Sequence, residues 1–329
     1  MFDIITFGSA TKDIFITPKK IKVLKDKSFI TGKGICFNLG SKVDINEIVL
    51  TSGGGGTNTA ATFANQGFQT AYCGAVGDDL AGQEIINELK SLNINTDLII
   101  KSKKKPTNHS IVITGLNDDR IIFVYRSASE ELKKENIPWD KLSAKWFFIS
   151  PLSGQLCEVF EDLIDFAIKN KIKVVLNPGN CQLSLPVNVL KRILNKVDIL
   201  ILNQEEASLL TKIPYLKEKQ IFKKIDEFCS GIAIMTKGEK GVVISDGKHL
   251  YRAVSKKLKV IDRTGAGDSF GAGFVSGFLQ SNENIVFAIQ LGIANAAACL
   301  KKIGAKNGLL KKDEKFYKVD VEKEECEMK

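Results

Sequence analysis

Short apolar runs and amphipathic segments alternate along most of the chain. Six of the apolar runs have the length of buried strands, and they lie at residues 2–8, 70–76, 146–150, 173–177, 198–203 and 232–236. Helical periodicity separates several of them, most clearly at 78–92 and 158–169. Strands that alternate with helices in this way are typical of βαβ units. The pattern therefore predicts an α/β fold, a three-layer αβα sandwich around a mainly parallel sheet.

Two inserts, about 13–50 and 110–126, break this alternation because they contain short strand-like stretches with little helical periodicity. The second reads as two strands joined by a polar turn at 117–119. We expect the inserts to pair into a small β-sheet lid over the carboxyl ends of the main strands. No low-complexity linker divides the chain, so one domain over residues 1–329 is expected. The mixed-charge tail, 311–329, is expected to be a frayed end or a surface strand.

Composition and charge exclude several classes of protein. The 329 residues are 44% hydrophobic and 26% charged, which is ordinary for a globular chain and unlike a disordered or collagen-like one. No apolar run approaches 18 residues, and the amino terminus lacks the features of a signal peptide, so no membrane partner is expected. The net charge of +9 is spread along the chain. We interpret it as a solvated lysine-rich surface and expect no nucleic-acid partner.

Cysteine and histidine usage argues against a metal site built on these residues. The seven cysteines are scattered without a CxxC pair, and the two histidines lie far apart in the sequence. This pattern indicates neither a zinc ribbon nor a disulfide framework. It favours a reducing cytoplasm, in which most thiols act as small apolar residues.

The strongest local signal for chemistry is the segment 262–274, which reads DRTGAGDSFGAGF. A strand-like run at 258–261 precedes it, and a helix of small and apolar residues follows. The glycines permit tight turns and leave the N–H groups of residues 265–267 at a helix amino terminus, where they form an anion hole suited to a phosphoryl group. Asp268 sits in that hole and can accept a proton from an attacking hydroxyl. The alternative is a glycine turn with Asp268 as the helix N-cap.

A second glycine-rich segment, GGGGTN at 53–58, leads into another predicted helix. Four glycines allow a ligand to approach the backbone closely, and Asn58 adds a donor and an acceptor suited to a polyol. The alternative is a flexible loop with a helix cap. No Gly-Lys-Ser/Thr follows, and residues 8–13 contain a single glycine. The sequence therefore lacks the signatures of a P-loop enzyme and of a Rossmann dehydrogenase.

These motifs and their order resemble the ribokinase-like, or PfkB, family of carbohydrate and nucleoside kinases. The similarity runs from about residue 2 to residue 308, nearly the whole chain. The motifs that carry it are GSATKD at 8–13, GGGGTN at 53–58, VGDDLAG at 76–82, NP at 177–178, NQEE at 203–206, TKGEKG at 236–241 and GAGD at 265–268. A single motif of this kind occurs by chance, whereas the full series in the family's order does not.

The resemblance implies a phosphotransferase that moves the γ-phosphate of ATP to an alcohol group of a small molecule. Asp268 then matches the family's catalytic base. The anion hole is matched by Gly265, Ala266 and Gly267. Asp13 matches the carboxylate that accepts hydrogen bonds from substrate hydroxyls. The remaining substrate-contacting loop is matched by Gly54, Gly55 and Asn58.

The resemblance also implies a nucleotide site and its metal ions. Asn203 and Glu206 match the pair that organises Mg²⁺ and its waters near the phosphates, in keeping with the oxygen ligands that Mg²⁺ prefers. Some members bind a monovalent cation near the equivalents of Asp262 and Thr264, so K⁺ is a further candidate cofactor. The nucleotide-contacting residues are matched by Thr236, Gly238 and Gly241, with Asn295 near the adenine pocket.

The acceptor and the assembly are less well specified. A small sugar is the first hypothesis, a nucleoside the second, and a non-catalytic sugar- or nucleotide-binding regulator the third. The intact Asp268 argues against the regulator, because a pure binder needs no base. Arg126 follows the second lid strand and fits either a substrate carboxylate or phosphate, or an ordinary surface position. Arg263 departs from the family pattern and is expected to point to solvent. Family lids often form dimer contacts, so a homodimer through the lid is expected.

Overall fold

A computed structural model describes residues 1–27, 29, 32–116 and 119–325; residues 117 and 118 of the expected polar turn lie outside this range. The strands in the described residues are β1 (Phe2–Phe7), β2 (Thr11–Pro18), β3 (Lys22–Lys25), β4 (Lys33–Cys36), β5 (Ile45–Gly53), β6 (Thr70–Gly77), β7 (Ile99–Ser102), β8 (Asn108–Leu116), β9 (Asp119–Tyr125), β10 (Ala144–Ile149), β11 (Lys173–Leu176), β12 (Ile199–Asn203), β13 (Ile232–Thr236), β14 (Val242–Ser245), β15 (His249–Ala253) and β16 (Val321–Glu325). The α-helices there are α1 (Gly55–Asn65), α2 (Leu80–Ser91), α3 (Phe160–Lys169), α4 (Asn180–Leu183), α5 (Val187–Leu194), α6 (Gln204–Thr211), α7 (Glu218–Asp226), α8 (Ala266–Gln280) and α9 (Ile285–Cys299).

The main sheet has the strand order β16-β15-β14-β13-β12-β11-β10-β1-β6-β7. The strands from β13 to β7 pair in parallel, whereas β14, β15 and β16 add an antiparallel edge. Parallel strands place all their carboxyl ends at one edge of the sheet, and ligands bind at that edge in open α/β sheets. The strands β1, β6, β11, β12 and β13 all lead into motifs described above.

Both faces of the main sheet are buried. Successive strand residues point to opposite faces, so Phe147 and Phe148 belong to two different apolar cores. On one face α3 and α7 pack through residues that include Phe160 and Phe222. On the other face α1 and α8 pack through Phe63 and others. The three-layer αβα sandwich predicted from the sequence is thus confirmed.

A second, smaller sheet has the strand order β5-β2-β8-β9. The strand β2 pairs antiparallel with β5 and parallel with β8, and β9 pairs antiparallel with β8. This small sheet is built from the two predicted inserts, although it begins at Thr11 and Asn108 and continues to Gly53, slightly beyond their expected bounds. Because β2 closely follows β1, the small sheet rises from the carboxyl edge of the main sheet.

The helix that carries the GAGD motif, α8, packs very closely against α9. A Cβ built on Gly273 would lie 3.0 Å from Asn295 Cβ, and one on Gly277 would lie 2.9 Å from Ala288 Cα. Only glycine allows helices to approach this closely at both positions. The Asn295 Nδ2 group also donates to the Ser269 carbonyl, at 2.8 Å. The first turn of α8 is therefore held against α9.

Some expectations from the sequence were wrong. The run 258–261 is not a strand, because the N–H of Ile261 donates to the Leu300 carbonyl after α9 instead of joining a sheet. No disulfide was expected, yet Cys157 and Cys181 form one, with Cα atoms 6.5 Å apart. The segment after β10 and the short helix α4 after β11 bring these two thiols together, and spacing in the sequence does not reveal such proximity. In the tail, β16 is a surface strand, one of the two alternatives.

Candidate active site

The residues around the GAGD motif form a tight turn into α8. Gly265 has φ 75°, in the left-handed region, and a Cβ there would lie 2.3 Å from Ala305 Cβ. Only glycine fits this position. The helix begins at Ala266, and the first N–H groups of a helix have no partner within it. A Cβ on Gly267 would meet nothing within 4 Å. The start of α8 is thus open to an anion, which the helix dipole attracts.

Asp268 lies in the first turn of α8 and contacts a side chain from another glycine-rich segment. Its Oδ2 atom accepts a hydrogen bond from Asn58 Nδ2, at 2.8 Å. Burial raises the pKa of the Asp268 carboxyl, while the Asn58 hydrogen bond and the charge of Lys306 oppose that rise. A carboxylate with a raised pKa is a better proton acceptor than an exposed aspartate. The geometry therefore suits Asp268 to the role of general base.

The glycine run at 53–58 brings the backbone close to this carboxylate. Gly54 has φ 97°, and a Cβ there would lie 2.3 Å from the Ser9 carbonyl oxygen. A Cβ on Gly55 would lie 3.5 Å from Asp268 Oδ1 and 3.3 Å from Ser150 Oγ. The run therefore packs α1, β10 and α8 around one point.

Two buried polar atoms at this point have no partner among the residues that the structure describes. They are Asn58 Oδ1 and Ser150 Oγ. Buried polar atoms are normally hydrogen-bonded, so an unpaired pair beside Asp268 marks a place for a ligand that carries hydroxyl groups. Ser150 was not singled out in the sequence. Its position at the carboxyl end of a predicted strand was the available signal.

The small sheet contributes a second carboxylate. Asp13 on β2 is 5% exposed, and its side chain hydrogen-bonds to Ser110 on β8. Burial raises the pKa of Asp13 to about 6, while the Ser110 hydrogen bond and the charge of Lys306 oppose the rise. A Cβ on Gly53 would lie 2.1 Å from Asp13 Oδ2, so glycine is required for the carboxylate to lie against this backbone.

The candidate site for a monovalent cation is already well supplied with hydrogen bonds. Asp262 Oδ1 accepts from Thr264 N and Oγ1, at 3.0 and 2.8 Å, and its Oδ2 accepts from Gly304 N, at 2.9 Å. Arg120 of the small sheet lies 3.8 Å from the same carboxylate. Cys299 Sγ also lies 3.6 Å from the Thr264 carbonyl oxygen. These contacts engage both oxygens of the Asp262 carboxylate, and K⁺ near Asp262 and Thr264 stays a prediction.

Asn203 and Glu206 form a capping box at the start of α6. Asn203 Oδ1 accepts from the Glu206 N–H and Glu206 Oε2 accepts from the Asn203 N–H, each at 2.8 Å. This leaves Glu206 Oε1 outside the capping box. Burial raises the pKa of Glu206, which means that burial disfavours its charged form. A nearby cation would stabilise that charged form. An ordered carboxylate at the carboxyl edge of the sheet fits Mg²⁺ held through water.

The predicted nucleotide loop follows the neighbouring strand. Thr236 pairs in register with Asn203, and its Oγ1 donates to the Leu202 carbonyl, at 3.4 Å. Gly238 and Gly241 have φ 58° and 87°, so they form the turn between β13 and β14. A cleft beside the loop is lined by Lys237, Val242, Val254, Lys256 and Tyr317. Within the described residues, no direct contact joins this loop or Glu206 to Asp268.

Two predicted binding residues do not join the site. Asn295 is 0% exposed, and its amide is occupied by Ser269, Thr62 and Leu310. It holds α8 in place instead of facing a nucleotide, so this assignment is corrected. Arg126 is exposed at the end of β9, and among the described residues it makes no hydrogen bond or ion pair to the site. Arg263 is exposed, as expected.

Comparison with known proteins identifies the family. The model of the pfkB family of carbohydrate kinases matches residues 31–312 of this chain. The chain belongs to this family, and it is a carbohydrate kinase of the ribokinase-like type. The ribokinase of Lactococcus lactis is 29% identical over 282 residues, which cover 84% of this chain and 88% of that protein. The deoxyribokinase of Salmonella typhimurium is 25% identical over 250 residues, covering 74% and 80%.

Solved structures show the same fold. The ribokinase of Thermotoga maritima superposes with a TM-score of 0.77 at 23% identity, covering 95% of this chain and 97% of that one. The nucleoside kinase of Methanocaldococcus jannaschii gives 0.72 at 22% identity, covering 94% and 95%. The ribokinase of Arabidopsis thaliana, solved with ribose and ATP, gives 0.77 at 21% identity, covering 94% and 95%. No helix in the described residues is long and apolar enough to cross a membrane.

Proposed function

We propose that this protein transfers the γ-phosphate of ATP to a hydroxyl group of a small sugar. The observation that carries the proposal is the position of Asp268 at the open start of α8, hydrogen-bonded to Asn58 beside two unpaired buried polar atoms. A base and an anion-binding helix terminus thus meet where a polyol fits. The Arabidopsis ribokinase was solved with ribose and ATP, and the shared fold supports the same ligand classes here.

In the proposed step, the acceptor hydroxyl gives its proton to the Asp268 carboxylate. The hydroxyl oxygen forms a bond to the γ-phosphorus, the bond from that phosphorus to the β–γ bridging oxygen breaks, and ADP leaves. The N–H groups of Gly265, Ala266 and Gly267 stabilise the charge on the transferred phosphoryl group. Asp13 and Asn58 orient the acceptor, since a carboxylate and a buried amide oxygen accept hydrogen bonds from its hydroxyl groups.

The spacing of the strands suits a phosphate chain. Asn203 ends β12, two strands away from β10, which ends beside Ser150. Neighbouring strands lie roughly 4.8 Å apart, so the two points are about 10 Å apart along the carboxyl edge. Asn203 and Glu206 would hold Mg²⁺ through water at the nucleotide side, where the ion would offset phosphate charge. Thr236, Gly238 and Gly241 would contact the nucleotide beyond it.

The small sheet is proposed to act as the lid and as the contact between two copies of the chain. Leu50, Ile14, Ile111 and Phe123 pair in register across all four strands and share one face. Asp13 is on the opposite face, toward the site. Leu50 is 58% and Phe123 56% exposed. An apolar row of this width is normally covered in an assembly, and two such rows packed against each other would form a homodimer.

The direct test is release of ADP from ATP and Mg²⁺ across pentoses, hexoses, sugar acids and nucleosides. We expect at least one sugar to raise the rate far above the acceptor-free rate. A higher rate with a nucleoside than with any sugar would move the assignment to a nucleoside kinase. Binding of sugar and ATP in calorimetry without any ADP release would contradict phosphotransfer and indicate a regulator.

A further inference from the structure

A buried lysine lies next to the proposed site, in a loop that the family motifs do not include. The Lys306 side chain is only 5% exposed. Its Nζ donates to Ser52 Oγ at the base of β5 and lies 3.5 Å from Glu88 Oε2 on α2. A lysine is almost never buried without a partner. Ser52 also donates to Glu88, so the three side chains form one closed cluster.

The loop that carries Lys306 also packs on the phosphate-binding turn. Ala305 lies against Gly265, where a Cβ would come within 2.3 Å of it, and Gly304 donates to Asp262. The same loop therefore fixes the start of α8 and delivers an ammonium group to the base of the small sheet. The position of the ammonium is set from both sides, by the turn and by Ser52.

The Lys306 ammonium is one positive charge that interacts with three carboxylates. Its burial lowers the pKa of Lys306, and the attraction of three carboxylates, those of Glu88, Asp13 and Asp268, opposes that effect. The groups that lower the pKa of Asp268 are the Asn58 amide on α1 and Lys306. Ser110 and Lys306 lower the pKa of Asp13, whereas the charges of Asp262 and Glu88 raise it. Ser52, which accepts from Lys306, directly precedes Gly53, whose backbone lies against Asp13 Oδ2. Ala305, the neighbour of Lys306, packs on the turn that leads into Asp268. The geometry therefore places the Lys306 ammonium close to both carboxylates of the site.

We propose that Lys306 is a positioning residue for phosphoryl transfer, which holds Asp13 and Asp268 as carboxylates in their places while Ser52 and Glu88 fix its ammonium group. The catalytic role of Lys306 rests on the proposed function. Its electrostatic effect on Asp13 and Asp268 does not depend on that function. Lys306 contacts neither acceptor nor nucleotide directly and acts through the two carboxylates.

The test follows the two carboxylates directly, by carboxyl ¹³C NMR titration of the full ligand-free chain. The Asp13→Asn and Asp268→Asn variants assign the two signals. In Lys306→Met both midpoints are expected to rise by about one pH unit, because an adjacent cation lowers a carboxyl pKa by one to three units. In Glu88→Gln the Asp13 midpoint is expected to fall, because the negative charge of Glu88 raises the pKa of Asp13.

Removal of the amine alone leaves the half-buried Glu88 without its cationic partner, so Lys306→Met is paired with the double variant Lys306→Met/Glu88→Gln. The double variant keeps the cluster neutral, and its Asp268 midpoint is still expected to rise. The matched control is Lys224→Met/Glu227→Gln, which removes a lysine–glutamate pair at the end of α7, at 2.6 Å. Both midpoints should stay unchanged in the control.

A folded double variant with an unmoved Asp268 midpoint overturns the proposal, as does an unmoved Asp13 midpoint in a folded Lys306→Met chain. Kinetics then separate the two proposals. If the midpoints move and the acid limb of kcat/KM moves with them, both stand. If the midpoints move but no acceptor in the ADP-release panel is phosphorylated, the electrostatic role of Lys306 stands and the proposed function fails.

Discussion

Replacement of Asp268 by asparagine removes a base with little change in shape. The amide oxygen of the variant still accepts the hydrogen bond that Asn58 donates at 2.8 Å. What is lost is the proton acceptor, and general-base assistance contributes about 10²–10⁴ in rate. At about 1.36 kcal/mol per tenfold, this raises the activation barrier by roughly 3–5 kcal/mol. We therefore expect kcat to fall by that factor while the affinity for ATP stays nearly unchanged.

The same substitution should stabilise the fold. Burial raises the pKa of Asp268 in the folded chain, so the folded state disfavours the charged form relative to the unfolded state. At neutral pH the carboxylate therefore lowers the free energy of unfolding, and a neutral amide removes that cost. Loss of the attraction to Lys306 offsets part of the gain. A higher Tm together with a lost turnover is the signature of a residue kept for function.

The assay combines coupled ADP release, calorimetric ATP binding and thermal denaturation on the parent and the Asp268→Asn variant. The control is Asp140→Asn, which makes the same atomic change at an exposed position away from the site. It should alter neither kcat nor Tm. A parental kcat in Asp268→Asn would refute the role of base. Loss of turnover together with a lower Tm and lost ATP binding would assign Asp268 a structural role instead.

Four further outcomes are expected. Asp13→Asn should raise the acceptor KM by about tenfold or more through a lost charged hydrogen bond, with the ATP KM unchanged; in the parent, the acceptor KM should rise below about pH 6 as Asp13 protonates. Glu206→Gln should increase the Mg²⁺ concentration needed for half-maximal rate, measured by metal titration. Phe123→Asp on the outer face of the small sheet should convert a dimer to a monomer in light scattering, with Ile168→Asp, the same kind of change at an exposed apolar position on α3, as the control. Asn295→Ala should lower the free energy of unfolding by about 1–3 kcal/mol, because the Ser269 carbonyl and Leu310 N–H lose their buried partner.

Periodicity predicted the fold well because the information was local. The runs that became β6, β12 and β13 are bounded by turns and helical segments, and parallel strands between helices leave few other architectures. The parts of the site that depend on backbone shape could also be predicted from the sequence, since Gly54 and Gly265 adopt conformations that glycine favours. What glycine spacing predicts is a bend open to a ligand, and both bends lie beside Asp268.

The residues that the sequence did not disclose depend on tertiary burial. Lys306 stands in a lysine-rich region, where nothing in the local pattern distinguishes a buried ammonium from a solvated one. Asn295 is the converse case: it is a polar residue on a helix, and only the close approach of α8 shows that its amide is occupied within the core. Ser150 follows an apolar strand, and its place in the site is shown only by its contact with Gly55, which is far from it in the sequence. Such residues are visible only once neighbouring elements have been placed.

The loop after α9 explains how these separate elements act together. Gly304 bonds to Asp262 at one end of the turn, Ala305 packs on Gly265, and Lys306 bonds to Ser52 at the base of β5. Three consecutive residues thus connect the anion-binding turn to the small sheet. A movement of that sheet changes the position of Ser52, and through it the ammonium group that both site carboxylates share. If the proposed lid closes over an acceptor, the Lys306–Ser52 hydrogen bond and the loop 304–306 would connect that movement to the charge near Asp268. A closed, water-poor site and a charged base are the two conditions that the proposed phosphoryl transfer requires.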